Sequence, residues 1–380
     1  MEETIKEKPV NRFLNGVREA LKNKTFHYIL KRILTSLLTL ILIVAVVTAL
    51  IRLLPDTKFY DVKEYKTITQ KMGRAAADNY MLRTLYLAGR RDLDGNEVSV
   101  LQSIFEYIYW ILPIPKSIPI KFSANYSKVL ESQTFLIYLG KSQNIAGSPY
   151  VTDLLVNHMG ISFVISIFCT ILTYIFSIPL GIAMAKKPGG PVDKVGNVFI
   201  VLNWAIPGLV FYLLMNSIMG RKDSIFGWGN FGFFYETGHW WTLVPPIFCI
   251  VFLSIPGLAI WVRRYMVDEL SSDYVKFARS KGLSENTIMY KHVFRNAVIP
   301  LVRGLPATFI GAIIGSYYIE TIWVIPGTGR LLINALQGAS PDVQVVQGLT
   351  IIYAAMSMLS FLLGDIVTVF FDPRIKLESD

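Results

Sequence analysis

Cysteine, histidine and charged residues are scarce in this sequence of 380 residues. It contains 2 cysteines and 4 histidines, and 17% of its residues are charged. Cys169 and Cys249 both lie inside apolar segments, where a cysteine usually packs as a small hydrophobic side chain. The histidines are scattered along the chain without the spacing of metal ligands. The sequence therefore predicts neither a disulfide framework nor a histidine metal site.

Apolar residues are abundant instead. They make up 53% of the chain, and the mean hydropathy is +0.45. A helix rises about 1.5 Å per residue, so about 20 apolar residues cross the roughly 30 Å hydrocarbon core of a bilayer. We predict an all-α polytopic membrane protein whose six spanning helices are Ile33–Leu54, Ile161–Ala185, Val195–Met219, Leu243–Val262, Val302–Glu320 and Val346–Phe371.

The basic residues give these spans an orientation. The net charge is +10, but lysine and arginine cluster at the ends of the apolar blocks rather than in one patch, which argues against nucleic-acid binding. They are dense in 1–32, 186–194 and 263–295, and sparse in 220–242 and 321–345. The positive-inside rule therefore predicts that both termini and the 186–194 and 263–295 segments are cytoplasmic.

The spans divide the chain into five parts. We predict a cytoplasmic tail at 1–32, a first span at 33–54, an extracytoplasmic domain at 55–158, a membrane core at 159–371 with a cytoplasmic loop at 263–300, and a second tail at 372–380. The first span is too long for a signal-peptide core and is expected to be retained. The apolar run Ile104–Ile114 is too short to cross a bilayer. A small folded domain against the membrane surface is therefore favoured over a hidden pair of spans.

Proline recurs within or beside the predicted spans. A proline removes a hydrogen-bond donor and kinks a helix, which lipid tolerates only where protein or a cavity satisfies the exposed carbonyl. Ordinary kinks and broken helices around a pathway both fit this pattern. The prolines concerned are Pro179, Pro207, Pro245, Pro246, Pro256 and Pro306.

The segment Asp273–Pro300 carries most of the functional information. Its first part has the pattern of a short amphipathic helix, and Gly282 suits a left-handed helix end. Ser284, followed by Glu285, is a typical start for a second helix. A basic loop solvated at the lipid headgroups is the alternative interpretation.

The same segment resembles the cytoplasmic coupling loop of importer-type ABC permeases, in the form found in oligopeptide and dipeptide permeases. That form reads D-Y-x-x-x-A-R-x-K-G-L-S and continues to R-N-A-x-x-P. The matching residues are Asp273, Tyr274, Ala278, Arg279, Lys281, Gly282, Leu283, Ser284, His292, Arg295, Asn296, Ala297 and Pro300.

Four further segments resemble elements of the same family. Ser177–Ile182 is similar to its I-P-L-G-I element, and Asp372–Ile375 reads D-P-R-I. Glu320–Arg330 resembles E-x-x-F-x-I-P-G-x-G-R, with tryptophan in place of phenylalanine. Asp342–Gly348 resembles D-Y-P-x-V-Q-G, with valine and glutamine in place of tyrosine and proline.

The resemblance implies a type I ABC importer fold with an extracytoplasmic domain between the first two spans. It implies a bacterial plasma-membrane importer for oligopeptides, in which this chain is the permease with the large first external loop. Its partners would be a second permease subunit in a heterodimer, two cytoplasmic ATPase subunits and an extracytoplasmic peptide-binding protein. ATP and magnesium would then bind to the ATPase subunits, and this chain would bind no cofactor or metal and catalyse no reaction.

The resemblance also assigns roles within the loop. Its short helix is expected to lie in a groove on an ATPase subunit, with Tyr274 and Phe277 as aromatic anchors. Arg279 and Lys281 are expected to pair with acidic groups there, and Gly282 is expected to allow a sharp turn. The predicted coupling residues are Asp273, Tyr274, Phe277, Ala278, Arg279, Lys281, Gly282, Leu283 and Ser284.

Candidates for the translocation path lie in the fifth predicted span. Gly304, Gly311 and Gly315 allow close approach of helices or a smooth wall. Glu320 is a further candidate, because ionisable residues within spans are often functional. A structural pairing is nevertheless the favoured role for Glu320 and for Asp365.

Other functions are weighed against this one. A permease for nickel or another small solute is the nearest alternative, because such permeases look much alike. An ion-gradient transporter would be favoured by inverted repeats or paired intramembrane carboxylates, and an intramembrane enzyme by a catalytic or metal-ligand set; the sequence shows neither. Gly140-Lys141-Ser142 resembles the end of a phosphate-binding loop, but the first glycine of that motif would fall at Phe135.

Overall fold

The computed structural model describes residues 24–123, 128–143, 150–220, 232–315, 317–337 and 341–371, and most of these residues are helical. Long helices contain the apolar blocks, and a group of shorter elements lies between the first two long helices. A π-helical segment covers Ile288–Val293. In chain order the elements are α1 (Lys24–Arg52), α2 (Val62–Met72), α3 (Arg74–Leu87), α4 (Val100–Ile111), β1 (Lys116–Phe122), β2 (Val129–Phe135), α5 (Val151–Ala185), α6 (Pro191–Ala205), α7 (Gly208–Gly220), α8 (Val244–Leu270), α9 (Asp273–Ser280), α10 (Glu285–Thr287), α11 (Phe294–Gly315), α12 (Tyr317–Ile322), α13 (Thr328–Leu336) and α14 (Val343–Phe371).

The prediction of an all-α polytopic membrane protein is confirmed for the described part of the chain, with one small β-hairpin as the exception. Five helical stretches are long and apolar enough to cross a bilayer, and α6 with α7 makes a sixth if the pair is one span. The five are His27–Arg52, Val151–Ala185, Trp240–Leu270, Glu285–Ile322 and Val343–Thr368.

The third predicted span is a broken helix rather than a continuous one. Helices α6 and α7 meet at an angle of 91°. Ile206, between them, has an extended backbone with φ −84° and ψ 119°. Pro207 follows, and the ring of a proline disfavours a helical conformation in the preceding residue. Pro179 and Pro256 lie inside continuous helices, so the prolines of this chain include both kinds.

Helix α5 begins at Val151 rather than at Ile161, so the predicted domain boundary at residue 158 falls inside it. One side of the additional turns packs against protein, whereas Val156 on the other side is 67% exposed. Val151 and Leu154 are buried against Leu139 and against the first turns of α14. A long apolar block was the criterion for the predicted span, and these first turns lie outside that block.

Ion pairs join the long helices at the end of the bundle where α9 lies, which we call the loop end. Arg263 of α8 holds Asp193 of α6 with two contacts, Nε–Oδ1 at 2.6 Å and Nη2–Oδ2 at 2.7 Å. Asp365 of α14 lies 3.2 Å from Arg32 of α1 and 3.2 Å from Arg303 of α11. One buried carboxylate therefore connects three spanning helices, as a structural pairing of Asp365 predicts.

The segment between α1 and α5 forms a domain at the opposite end of the bundle, which we call the inserted domain. It contains α2, α3, α4 and the antiparallel hairpin of β1 and β2, which the sequence did not predict. Asp56 accepts hydrogen bonds from Arg90 Nε at 2.7 Å and from Arg91 Nη2 at 3.1 Å. This pair of contacts ties the start of the domain to the loop after α3.

The G-K-S turn fastens the inserted domain to the start of α14. Ser142 Oγ and the backbone N–H of Gln143 both donate to Asp342 Oδ2, at 2.7 Å and 2.8 Å. The backbone N–H of Lys141 donates to Gln344 Oε1. The residues that look like the end of a phosphate-binding loop therefore hold two parts of this chain together.

Candidate functional site

Helix α9 has one buried and one exposed face. Val275 and Ala278 are 0% and 7% exposed, and they pack against side chains of α5, α8 and α11. Phe277 points the other way and is 60% exposed. Asp273 opens the helix and pairs with Lys276 at 2.9 Å. The amphipathic pattern thus holds α9 on the bundle and presents its outer face, so Ala278 packs internally rather than on that outer face.

Gly282 ends this helix in the predicted left-handed conformation. Its φ is +76°, and its N–H donates to the carbonyl of Arg279 at 2.9 Å. The N–H of Leu283 donates to the carbonyl of Ala278 at 3.3 Å, which completes the turn. A Cβ added at Gly282 would meet no atom within 4 Å. The turn therefore requires glycine for its backbone conformation and not for space.

Ser284 starts the second helix, as predicted. Its Oγ accepts from the N–H of Thr287 at 3.3 Å, a typical N-cap contact. From there the helical backbone passes through α10 and the π-helical segment directly into α11. Ile288 and Val293 are fully buried in the same cluster as Val275. One continuous helical path therefore connects the turn to a spanning helix.

Tyr274, predicted as an aromatic anchor, is half-buried and hydrogen-bonded within the chain. Its hydroxyl donates to Glu269 Oε2 at 2.6 Å, and Asn296 Nδ2 donates to the same oxygen at 3.4 Å. Burial, with a further contribution from the bond to Glu269, raises the pKa of Tyr274 to about 12. Tyr274 therefore ties α9 to the ends of α8 and α11, and Phe277 remains as the exposed aromatic group.

Arg279, predicted to pair with an acidic group of an ATPase subunit, forms an ion pair within this chain. Its Nε and Nη2 lie 2.8 Å and 3.2 Å from the two carboxylate oxygens of Glu285, on the other side of the left-handed turn. This hydrogen-bonded pair raises the pKa of Arg279. Lys281 places its ammonium group 4.4 Å from the centre of the Phe277 ring. Leu283, two residues after Lys281, is 39% exposed, so the outer surface of the loop combines apolar side chains with the ammonium groups of Lys276 and Lys281.

A cavity of about 530 Å³ lies next to the turn. Glu285, Asn286 and Met289 line it on the side of the loop, and Lys186 and Lys187 line it from the end of α5. Sequence reasoning placed the 186–194 turn in the cytoplasm but did not include it in the site. A basic turn that also contains two glycines and two prolines was the available sign, because such a turn can lie close to a neighbouring helix.

A second cavity, of about 240 Å³, lies within the spanning helices. Of the predicted path residues, Gly311 lines it. An added Cβ would meet no atom within 4 Å at Gly304 or at Gly311, so neither glycine is a site of close helix approach within this chain. Gly315 ends α11, but its surroundings lie outside the described residues. The cavity is lined by Cys169, Thr170, Thr173, Tyr212, Ile250, Ser254, Thr308, Gly311 and Ala312.

The hydroxyl groups of this cavity were missed at the level of sequence. Thr170 and Thr173 belong to a run of small hydroxyl residues on α5, and all of them are buried. Their spacing of three or four residues places them on one face of the helix, which is a pattern that the sequence does contain. Among the described residues, the Thr170 hydroxyl has no hydrogen-bond partner. The run consists of Ser162, Ser166, Thr170, Thr173 and Ser177.

Glu320 has a structural position rather than one in this cavity. It is fully buried, and its Oε1 accepts from Ser162 Oγ at 2.7 Å. Its Oε2 accepts from the backbone N–H groups of Gly329 at 2.7 Å and Arg330 at 3.0 Å, in the first turn of α13. A Cβ on Gly327 would overlap the carboxylate, so the close approach requires glycine. The favoured structural role of Glu320 therefore agrees with its contacts.

Residues 177–377 match the family described as "Binding-protein-dependent transport system inner membrane component". The chain is 40% identical over 210 residues to the oligopeptide transport system permease protein AmiC of Streptococcus pneumoniae, a match that covers 54% of this chain and 40% of that protein. It is 28% identical over 353 residues to the dipeptide transport system permease protein DppB of Lactococcus lactis subsp. cremoris, with 92% and 99% covered. The chain thus spans less than half of the first relative and nearly all of the second.

Among solved structures, that of the MetNI methionine ABC transporter in inward-facing conformations is similar to part of this chain. The TM-score is 0.46 and the sequence identity 16%, and the match covers 58% of this chain and 97% of that chain.

Proposed function

This chain belongs to the family of binding-protein-dependent transport system inner membrane components, and we propose that it is a permease subunit of an ATP-driven importer for oligopeptides. In this proposal the loop end faces the cytoplasm and the inserted domain faces outward, in keeping with the distribution of basic residues. The family match covers the loop, the segment around Glu320 and the start of α14.

The main support for the proposal is the way the loop is packed on the bundle and connected to α11. Helix α9 is held by a buried face, presents Phe277 and Lys281 outward, and is followed by an unbroken helical path from Ser284 into α11. An ATPase subunit that grips the outer face of α9 would move the loop end of α11. Thr308 and Gly311 of that helix line the inner cavity, so its shape would change with the state of the ATPase pair.

Peptide is supported as the substrate by the relatives and by the chemistry of the inner cavity. The relatives above bear the names of oligopeptide and dipeptide permeases. Hydroxyl groups such as those of Thr170, Thr173 and Ser254 both donate and accept hydrogen bonds. A wall of this kind satisfies the backbone of a passing peptide without selecting its side chains, so selection would rest with a separate binding protein.

The partners follow from the same proposal. A second permease would complete the pathway, two ATPase subunits would bind ATP and magnesium, and a peptide-binding protein would deliver the substrate on the side of the inserted domain. The G-K-S turn of this chain is occupied with Asp342 and Gln344, in keeping with ATP hydrolysis in separate subunits.

The test compares two glycines that have the same backbone requirement at opposite ends of the molecule. Gly282 has φ +76° and Gly238 has φ +90°, and an added Cβ meets no atom within 4 Å at either. A left-handed conformation costs a β-branched residue roughly 1–2 kcal/mol or more. In the reconstituted importer, we expect Gly282→Val to lower uptake of labelled peptide by at least about tenfold while ATP hydrolysis persists.

Gly238→Val is the matched control and should leave uptake nearly unchanged, because Gly238 lies outside the loop. Uptake at the original rate in Gly282→Val would refute the coupling role of the loop. Equal losses of peptide uptake in the two variants would mean that valine in a left-handed conformation disables the protein at either position.

A further inference from the structure

Helix α4 of the inserted domain exposes an apolar face with no cover among the described residues. Leu101 and Phe105 are each 70% exposed, and Tyr109 is 47% exposed. The three residues are four apart, so they lie on one side of the helix. Leu112 and Ile114, just beyond its end, are 43% and 47% exposed. A contiguous apolar face of this kind usually marks a surface that is covered by lipid or by another protein.

Two of the polar side chains of α4 turn away from this face, and the exposed Gln102 lies at its edge, where it donates Nε2 to Glu106 Oε1 at 2.8 Å. Ser103 is buried and donates its hydroxyl to the carbonyl of Gly89 at 3.2 Å. Glu106 lines a cleft that it shares with Arg52 and Arg90. The helix is therefore amphipathic about an axis that separates the interior of the domain from the apolar face.

The contacts between α4 and α1 give the position of this apolar face along the length of α1. At the start of α4, Arg52 donates Nη2 to the carbonyl of Val98. Further along, Tyr107 and its neighbours pack against Val44 and Leu40, which are eight and twelve residues before Arg52. At about 1.5 Å per residue, the second half of α4 lies about 12–18 Å from the level of Arg52, towards the loop end.

Two arginines of α1 mark the ends of its apolar part and relate the level of Arg52 to the hydrocarbon core of the bilayer. Arg32, paired with Asp365 at the loop end, is twenty residues from Arg52. Twenty helical residues extend about 30 Å, which is the thickness of the hydrocarbon core. The side chains between these arginines include strongly exposed leucines such as Leu38, at 68%, and Leu42, at 61%. The exposed face of α4 thus continues the apolar face of a spanning helix.

The end of α4 is closed by a side chain in a way that suits a site without water. The last carbonyl groups of a helix lack partners within it, and in lipid they must be satisfied by the protein. The buried Lys116 donates Nζ to the carbonyls of Tyr109 at 2.9 Å, Trp110 at 2.7 Å and Leu112 at 2.6 Å. Because these three contacts satisfy carbonyl groups at the end of α4, the helix can end in a region without water.

We propose that α4 is a membrane-embedded helix that does not cross the bilayer. It lies alongside α1 in the leaflet nearer the inserted domain, with Leu101, Phe105 and Tyr109 against phospholipid acyl chains. The inserted domain is then anchored in the membrane by its own helix, in addition to its link to α14.

The experiment measures the surroundings of single nitroxide labels on the full chain in vesicles of phosphatidylethanolamine and phosphatidylglycerol. Cys169 and Cys249, both buried, are first replaced by alanine. Labels are attached at Leu101→Cys, Phe105→Cys and Tyr109→Cys, with Leu38→Cys as the lipid control and the exposed Gln70→Cys on α2 as the water control. Collision with oxygen reports lipid, and collision with a water-soluble nickel chelate reports water.

The proposal expects the oxygen-to-nickel ratio at Phe105 to be close to that at Leu38 and several-fold above that at Gln70. The ratio should also rise from Leu101 to Tyr109, because about 12 Å of helix lies between these positions. A water-like ratio at Phe105 would overturn the proposal. Protection from both reagents would also overturn it, since a protein partner would then cover the face. Equal ratios at the three positions would refute the placement alongside α1.

Discussion

The two ends of the bundle each contain a turn held by a carboxylate, but the two turns are built differently. At the end with the inserted domain, Glu320 is fully buried and accepts from the backbone of Gly329 and Arg330. At the loop end, Glu285 is exposed and pairs with Arg279 across the left-handed turn. Buried hydrogen bonds to backbone fix a turn, whereas an exposed ion pair contributes little stability. The turn at the end with the inserted domain is therefore held rigidly, whereas the turn at the loop end can change its conformation.

The largest effect is expected from Glu320→Gln. Glutamine offers one acceptor oxygen in place of two, so either the N–H groups of Gly329 and Arg330 or the hydroxyl of Ser162 would face its NH2 group without an acceptor. Leaving a buried donor without a partner costs about 1–3 kcal/mol. The midpoint temperature of unfolding in detergent should fall clearly.

Glu285→Gln at the loop end is the matched control for that change and should leave the midpoint unchanged. If the two variants unfolded at the same temperature, the contrast between a fixed end and an adjustable end would be wrong.

An intermediate effect is expected from Asp342→Asn. This change weakens the acceptor for Ser142 Oγ and the N–H of Gln143, which together hold the inserted domain to α14. Hydrogen bonds to a charged acceptor contribute about 1.5–3 kcal/mol each, and asparagine keeps part of that. Amide hydrogen exchange in residues 139–143 should become faster, while exchange in α9 should not change.

Asp94→Asn, at an exposed position of the same domain, is the control for the Asp342 variant. Unchanged protection of residues 139–143 in Asp342→Asn would show that the G-K-S turn is not what fastens the domain.

The smallest effect on stability is expected from Arg279→Gln. The residue is exposed, so we expect no measurable change in the midpoint of unfolding. The turn loses its ion pair, and peptide uptake should fall by no more than about fivefold, because the backbone of the Gly282 turn remains. The exchanged double variant Arg279→Glu with Glu285→Arg should restore uptake. Failure of the exchange to restore uptake would indicate that Arg279 contacts a partner, as the sequence alone suggests.

Much of the loop could be predicted from local chemistry. Gly282 adopts the left-handed conformation and Ser284 caps the second helix, because both roles depend only on neighbouring backbone. The exposed or buried state of Tyr274 and Arg279 could not be predicted in this way. Their partners, Glu269 and Glu285, are acidic groups of the same chain, and a resemblance to a family does not show whether such groups lie within reach.

The inner cavity shows a similar division. Thr170 and Thr173 follow a helical spacing that the sequence displays, but the stripe acquires meaning only when α11 and α8 enclose it. Gly311 lines this cavity, and Gly304, seven residues away on the same helix, does not. The sequence does not distinguish these two glycines, because the neighbouring helices determine which of them borders a cavity.

The sequence by itself determined the class of this protein, most of its spans, its basic loop and its family, because apolar length, charge placement and turn residues are local properties. Only the tertiary structure decided that the third span is broken, that Glu320 caps α13, and that the apolar face of α4 runs beside α1. The last two features depend on contacts between residues far apart in the chain, such as Ser162 and Glu320, which lie 158 positions apart and leave no local trace. The break before Pro207 needed the structure because a proline can also lie inside a continuous helix, as Pro179 and Pro256 do.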